Sequence, residues 1–345
     1  MSLSPAPLSH RFCTAPMMDW SDRHCRFFFR QLSRHALLYT EMVTTGALLH
    51  GDVARHLDFD AAERPVALQL GGSEPDELAT CAKLGERWGY DEINLNCGCP
   101  SERVRRGAFG ACLMAEPALV ADCIKAMRDA VSIPVTVKHR LGIDRIEDYE
   151  FMRRFVETLA RAGCRTFIVH ARNAWLKGLS AKENREVPPL RYADVYRLKH
   201  DFPELEIVVN GGIHTLREAA AHLLRVDGTM LGRTTYHHPF VLAGVDMTVF
   251  GDEHALPTRA AIVETITEYA RVHVAAGTPL RAIARHLLGL YHGQPGARAW
   301  RRMLSDAHRL AQNQPELLLQ AMEVAEARPG ARMSVFDAEA ALDGG

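Results

Sequence analysis

Long apolar runs are missing from this chain. No stretch approaches the roughly 18 consecutive apolar residues of a membrane-spanning helix. The opening Ser2-Leu3-Ser4-Pro5-Ala6-Pro7-Leu8-Ser9-His10-Arg11 lacks the apolar core of a secretory signal. Paired cysteines are missing too. The eight cysteines, at 13, 25, 81, 97, 99, 112, 123 and 164, form no Cys-x-x-Cys pair, keep no repeated spacing and stop at 164. That argues against a disulfide scaffold and fits reduced thiols. No Gly-x-Gly-x-x-Gly follows a strand-like run, so a Rossmann unit holding a dinucleotide is not expected. A net charge of −1 over 345 residues gives no global pull toward nucleic acid. What remains is an ordinary globular composition, 47% hydrophobic and 24% charged, in a chain long enough for one large domain and a small one. The expected compartment is the cytoplasm, with no membrane contact.

Eight short β-rich runs are present: Phe12 to Met18, Leu37 to Val43, Val66 to Gly71, Glu92 to Asn96, Val135 to Lys138, Thr166 to His170, Ile207 to Asn210 and Gly228 to Leu231. Helical patterns separate several of them. In Pro117 to Val131, for example, Leu119, Val120, Cys123, Ile124 and Met127 recur at helical spacing behind a proline suited to a first turn. Alternating strand and helix imply parallel strands, and eight units match an α/β fold of the (β/α)8 TIM-barrel type better than a doubly wound sheet. The barrel is expected over residues 1–250. After about residue 250 the β signals stop. Thr258 to Ala276, a segment capped by Thr278-Pro279 and running through Leu288, Ala297 to Ala311 and Pro315 to Ala327 predict four helices. They form a small helical bundle domain, 251–345, with a flexible tail after about 330. Between Thr278 and Leu310 lie Arg281, Arg285, Arg298, Arg301, Arg302 and Arg309 against one acid, Asp306. Such a patch suits an anionic partner, although a solvated helix face would look the same.

In a barrel, residues at the carboxyl ends of the strands converge on one mouth. Here nearly every strand ends in a polar group: Asp19 after Pro16-Met17-Met18, Glu41, Gln69, Asn94 and Asn96, Lys138-His139-Arg140, His170 and Arg172, Asn210, and Arg233. Any one of these could be a satisfied core polar group. Their recurrence at corresponding strand ends points to a site. Asn210-Gly211-Gly212, the capping-box pair Thr215 and Glu218, and Gly232-Arg233 sit where barrels hold a phosphate, in the loops after strands 7 and 8. A cofactor with one phosphate and a polar ring edge fits, namely flavin mononucleotide (FMN). Gln69 and Asn96 are placed for the ring edge, the Met17-Met18 backbone for its face and Lys138 for the negative charge of the reduced ring. The rival role for Lys138 is a Schiff-base lysine of an aldolase-like barrel, which leaves Cys99 and Gln69 without work.

The stretch Asn94-Leu95-Asn96-Cys97-Gly98-Cys99-Pro100-Ser101 ends a strand in a tight turn that presents a thiol. With an ordinary pKa of about 8.5, such a thiol can donate a proton, or attack if it is ionised. No other ligand cluster lies near Cys97 and Cys99, so no metal is expected.

The chain resembles the tRNA-dihydrouridine synthases, specifically their A subfamily, over nearly its whole length. The resemblance rests on Ala15-Pro16-Met17-Met18-Asp19-Trp20-Ser21-Asp22, Leu68-Gln69-Leu70-Gly71-Gly72, Gly98-Cys99-Pro100-Ser101, Phe109-Gly110-Ala111-Cys112-Leu113-Met114, Val137-Lys138-His139-Arg140-Leu141-Gly142-Ile143-Asp144 and Lys177-Gly178-Leu179-Ser180-Ala181-Lys182-Glu183-Asn184-Arg185. Cys97, where a small aliphatic residue is expected, and Arg105, where Gln is expected, depart from the pattern. The resemblance implies a flavoprotein that reduces the C5=C6 bond of a tRNA uridine in the D-loop, at position 20 with 20a as a second site. NADPH or NADH serves as transient reductant and Cys99 as proton donor. It places FMN on Pro16, Met17, Met18, Gln69, Lys138, His170, Asn210, Gly211, Gly212, Gly232 and Arg233. RNA is placed on Asn96, Lys182, Arg185, Arg298 and Arg301. Arg103, Arg105 and Arg106, which follow the Cys99 turn, either extend that surface or are solvated loop charges. No obligate protein partner is implied. Another FMN barrel acting on a free pyrimidine or an enone would share the cysteine, lysine and asparagine but would not need the basic helices.

Overall fold

A computed structural model describes residues 8–328 except 103, 105, 106 and 147. Eight strands run parallel: β1 (Phe12–Thr14), β2 (Leu38–Thr44), β3 (Val66–Gly71), β4 (Glu92–Cys97), β5 (Val135–Arg140), β6 (Thr166–His170), β7 (Glu206–Asn210) and β8 (Gly228–Leu231). Their order is β1-β8-β7-β6-β5-β4-β3-β2. The last gap closes where Cys13 bridges Leu37, with Thr14 N–H donating to Leu37 O at 2.9 Å and Leu37 N–H to Phe12 O at 3.0 Å. This is a TIM barrel.

Period-two alternation sorts side chains between two compartments. On β4, Ile93, Leu95 and Cys97 face the helices and join the large outer core, as do Val66, Leu68 and Leu70 of β3. The barrel interior is a separate cluster built from Cys13, Ala15, Leu37, Tyr39, Ala67, Ile168, Val208 and Met230. The alternate positions of β4 are Glu92, Asn94 and Asn96, all buried, and those of β5 are Thr136, Lys138 and Arg140. On β4 and β5, therefore, polar residues on alternate positions line the inside of the barrel beside that apolar cluster.

The first strand is shorter than the sequence suggests, ending at Thr14 and not at Met18. Pro16 cannot donate to a ladder, and the chain instead turns, Trp20 and Ser21 N–H donating to Met17 O at 3.0 and 2.9 Å. That turn carries Met17 and Met18 across the mouth.

After β8 the described chain is helical. Arg259–Ala275 starts at Thr258, whose hydroxyl accepts from Ala261 N–H. Five α-helices follow residue 258 among the described residues, one more than expected: Arg259–Ala275, Leu280–Ala284 (continued by a 3-10 turn, Arg285–Leu287), Ala297–Leu304, Ala307–Ala311 and Leu317–Glu326. The segment predicted as one helix over 297–311 breaks because Asp306 accepts from His308 and Arg309 N–H at 3.0 and 3.2 Å and starts a new one. The second helix is capped by Asn313 Oδ1, which accepts from Leu280 N–H at 2.7 Å, and not by Thr278. Trp300 is fully buried, donates from Nε1 to Leu287 O at 2.8 Å and packs on Tyr291 with centroids 4.7 Å apart. Truncating such a tryptophan to alanine costs about 3–5 kcal/mol.

These helices dock on the barrel beside its mouth. Tyr269 stacks on Phe27 at 3.9 Å, and Asp22 Oδ2 accepts from Arg285 at 2.7 Å and pairs with His286 Nε2 at 3.1 Å. Among the described residues no helix is long and apolar enough to cross a membrane. The expected tail after about 330, and Arg103, Arg105 and Arg106, lie outside the described residues.

Candidate active site

The carboxyl ends of the strands open onto a cavity of about 880 Å3, within the range of cofactor sites. Its walls contain Pro16, Met17, Met18, Gln69, Lys138, His170, Asn210, Gly211, Gly212, Gly232 and Arg233, together with Asn96, Cys99 and Arg185. Lys182 is exposed on the loop after β6 and is outside that lining, as are Arg298 and Arg301, exposed on the helix Ala297–Leu304. The sequence-derived cofactor residues thus meet in one place, and three of the five RNA residues lie apart from it.

The cysteine turn is held from several sides. Asn96 Oδ1 accepts from the N–H groups of Gly98 at 3.1 Å and Cys99 at 2.9 Å. Cys99 O accepts from Ala111 N–H at 2.9 Å. At Gly110, φ is +77° and a Cβ would lie 2.6 Å from Cys99 O, so only glycine lets the start of the 3-10 helix Gly110–Ala115 approach the turn. Arg140 is buried and donates from Nε to Gly98 O at 3.1 Å and from a terminal nitrogen to Asn184 O at 2.8 Å. Cys99 is half-buried, with Sγ 3.5 Å from Ser101 Oγ, and reaches the cavity. Cys97, two residues earlier, faces the opposite side of the sheet, where burial pushes its thiol well above the usual range. Its role is packing.

Beside the turn, on the neighbouring strand, where Lys138 is in register with Asn96, Lys138 Nζ donates to Asn210 Oδ1 at 3.0 Å, and Asn210 Nδ2 donates to Met230 O at 2.7 Å. Burial, joined by the like charge of Arg140, lowers the lysine to about 7, with Cys99 opposing. His170 is buried, and burial with Arg140, Lys138, Arg172 and Arg185 around it holds its pKa far below 6.5, so its ring is neutral. The mouth thus gathers cations and a neutral imidazole, an arrangement suited to an anionic ligand.

Gly211 and Gly212 both adopt positive φ, +104° and +69°, and Cβ atoms there would meet the His170 ring and Leu190 at 2.4 Å. Two successive positive-φ glycines turn the chain sharply at the mouth, leaving no side chain between the backbone and a ligand. Tyr192 OH donates to Gly211 O at 2.6 Å and braces the turn. The predicted capping box forms, with Thr215 and Glu218 exchanging hydrogen bonds at the head of Leu216–Leu223. Arg233 pairs with Glu186 at 2.5 Å beside this turn.

Two features give little sign of themselves in the sequence. Arg140 is recognisable as a strand-end residue but not as the clamp on Gly98; its alternation with Lys138 is the available signal. Asp22 and the cluster around it give no local signal, because their partners lie in the distant helices. Of the six arginines in the basic segment, Arg285 is committed to Asp22 and Arg309 to Asp306 at 3.6 Å. Arg298, Arg301 and Arg302 stand exposed on one helix.

Comparison with known proteins agrees with this architecture. The model of the family described as dihydrouridine synthase (Dus) matches residues 13–326. A Pseudomonas aeruginosa protein named tRNA-dihydrouridine(20/20a) synthase is 59% identical over 309 residues, covering 89% of this chain and 93% of the relative. Proteins of the same name from Synechocystis and from Escherichia coli K12 are 56% and 58% identical, covering 92% and 87% of this chain and 94% and 88% of the relatives. Among solved structures, a 2-naphthoyl-CoA reductase complex matches with a TM-score of 0.51 at 11% identity, over 68% of this chain and 49% of that one, a likeness of fold alone. With a matching model spanning the barrel and the C-terminal helices, the chain belongs to the dihydrouridine synthase family.

Proposed function

We propose that this chain reduces the C5=C6 bond of uridine in the tRNA D-loop, at position 20 with 20a as a second site, to 5,6-dihydrouridine. The observation that carries this reading is a half-buried thiol, Cys99, on the wall of the same cavity as the half-buried Lys138 and the glycine turn Gly211-Gly212. The residues present fit FMN as the bound cofactor. The glycine turn with Gly232 and Arg233 would take its phosphate, Gln69 the polar edge of the ring, Pro16 to Met18 its face, and Lys138 with neutral His170 the carbonyl side. FMN, once reduced by NADPH or NADH, supplies the hydride that saturates uridine C6.

The chain's own residues do the remaining work. The Cys99 thiol donates a proton to C5, quenching the negative charge that develops on the base, and the Asn96 clamp keeps the thiol on the cavity wall. A uridine inside folded RNA reaches this depth only when flipped out. Lys182, Arg185, Arg298 and Arg301 hold the RNA while it enters, with Asn96 at the base. The division into a catalytic barrel, 1–250, and a tRNA-binding helical part, 251–345, follows from this assignment.

Two measurements test the reading. Dihydrouridine mapping of tRNA from a strain lacking the gene should show unmodified position 20, restored by the gene. Cys99→Ala should keep FMN and its reduction by NADPH yet lose about 10²–10⁴-fold in uridine reduction, the usual worth of a positioned acid. Unchanged turnover of Cys99→Ala on unmodified tRNA would falsify the role of the thiol. Efficient reduction of free uracil or orotate would point to a free pyrimidine as substrate.

A further inference from the structure

A single hydrogen-bonded chain crosses the inside of the barrel from the cysteine turn to its floor. Asn96 Oδ1 accepts from Gly98 and Cys99 N–H, and Asn96 Nδ2 donates to Gln69 Oε1 at 2.8 Å. Gln69 Nε2 donates to Asn94 Oδ1 at 2.8 Å, and Asn94 Nδ2 to Thr136 Oγ1 at 2.8 Å. Thr136 Oγ1 donates to Glu92 Oε1 at 2.6 Å. Glu92 also accepts from Tyr39 OH at 2.7 Å and pairs through Oε2 with His10 Nε2 at 2.5 Å. His10 Nδ1 lies 2.9 Å from Glu206 Oε2.

The direction of every link follows from chemistry. Backbone N–H groups can only donate, so Asn96 must turn its oxygen to the cysteine turn. A carboxylate with three donors around it can only accept, so Thr136 must give its single proton to Glu92 and take one from Asn94. Between these ends three amides stand in series, each using its oxygen on one side and its nitrogen on the other. Flipping any one of them brings donor against donor or acceptor against acceptor. Glu92, Asn94, Gln69 and Thr136 are all buried to within about 1%, so water cannot repair a mismatch, and an unmatched buried group costs about 1–3 kcal/mol.

We propose that Glu92 and Thr136 are positioning residues for the reaction of the preceding section. Their acceptor end sets the orientation of the Asn94, Gln69 and Asn96 amides and so holds the Gly98-Cys99 turn, and with it the proton donor, in place. This rests on the reading of Cys99 as that donor. His10 completes the device by placing a cation between Glu92 and Glu206, so that the carboxylate is matched in charge below as well as in hydrogen bonds above.

The test compares two shape-preserving changes at the same carboxylate in the FMN-loaded protein. Thr136→Val cuts the chain; Tyr39→Phe removes a bond to the same Glu92 oxygen but lies off the chain. Amide hydrogen exchange at Gly98 and Cys99, followed by NMR without tRNA, should rise about tenfold or more in Thr136→Val and stay within about threefold of wild type in Tyr39→Phe and Thr136→Ser. In single turnovers, oxidation of the reduced enzyme by unmodified tRNA should slow about tenfold in Thr136→Val, while reduction by NADPH changes less than about threefold. If Thr136→Val does not fold, Thr136→Ala, which removes the same hydroxyl in a smaller side chain, is read by the same two measurements. Unchanged exchange in Thr136→Val, equal acceleration in Tyr39→Phe, or failure of Thr136→Ser to restore wild-type behaviour overturns the proposal. The exchange arm needs no tRNA, so a protein inert toward tRNA would sink the assigned reaction and still leave the chain's effect on the turn decided.

Discussion

Lys138 and Asn210 meet across the barrel mouth, the ammonium donating to the amide oxygen at 3.0 Å although 72 positions separate them in sequence. Burial and Arg140 together bring this lysine to about 7. A half-buried cation whose neighbours include another cation is suited to receive an anion.

Proton uptake on ligand binding should therefore report Lys138. In flavin-free protein at pH 8.5 the amine is mostly neutral, since its pKa is about 7. A negatively charged ligand beside it raises that pKa, so binding of reduced FMN should take up close to one proton. Calorimetry in two buffers of different ionisation enthalpy measures this directly. Lys138→Met should abolish the uptake and weaken binding about 10–100-fold, the worth of a charge-assisted hydrogen bond. Uptake that persists in Lys138→Met would assign it elsewhere.

His10 predicts a pH slope in stability. Burial opposes its charge, but Glu92 and Glu206 outweigh it and lift the imidazole from 6.5 to about 10. The folded state thus binds more protons than the unfolded state between these values. Its stabilisation is complete below pH 6.5, declines as pH rises, and is gone above about 10. His10→Ala leaves two carboxylates facing each other, which at pH 6 should cost about 3–5 kcal/mol. The gap in melting temperature between wild type and His10→Ala should narrow steadily from pH 6 to pH 10. A constant gap would mean that the ring is not charged in the fold.

Much of this architecture is legible in the sequence, for a physical reason. The convergence of strand ends on one mouth is a general rule, so Gln69, Asn96 and Lys138 can be placed there without coordinates. Pro16 equally announces the end of β1, although the run of apolar residues past it argues for a longer strand. The links that cross the barrel are not legible. Nothing local says that His10 reaches Glu92, that Arg140 clamps Gly98, or that Asp22 meets His286, because strand register and helix docking decide those distances. The break at Asp306 is ambiguous for another reason: aspartate tolerates a helix interior but caps a new helix better.

Asp22 should be worth more than its exposed partner. Its Oδ1 caps the helix Arg23–Arg30 through the N–H groups of His24 and Cys25, both at 3.0 Å, and its Oδ2 meets buried His286 and exposed Arg285. Burial opposes its charge, but these partners hold its carboxyl well below the usual range. Its contribution is therefore present above about pH 4 and lost as pH falls further. Asp22→Ala should destabilise by about 2–4 kcal/mol, from a lost cap and a buried histidine that loses its carboxylate. Arg285→Gln, at the exposed end, should cost no more than about 1 kcal/mol. Urea unfolding at pH 7 ranks the two variants, and equal costs would contradict the assignment of the clamp to Asp22 and His286.

Arg298 and Arg301 make the last prediction, because they lie apart from the cavity and so separate RNA affinity from chemistry. Both are exposed on Ala297–Leu304, while Trp300 and Met303 of the same helix are buried. Reversing either charge should leave FMN content and melting temperature unchanged, since exposed helix charges contribute little to stability. Affinity for tRNA should fall, and the slope of log affinity against log salt should flatten by about 0.7–0.9 for each phosphate no longer neutralised. Arg285→Gln, whose guanidinium is already engaged with Asp22, should leave that slope unaltered. Filter binding over about 50 to 300 mM salt with Arg298→Glu, Arg301→Glu and Arg285→Gln reads all three slopes. A wild-type slope in both reversals would move the RNA surface to another face of the protein.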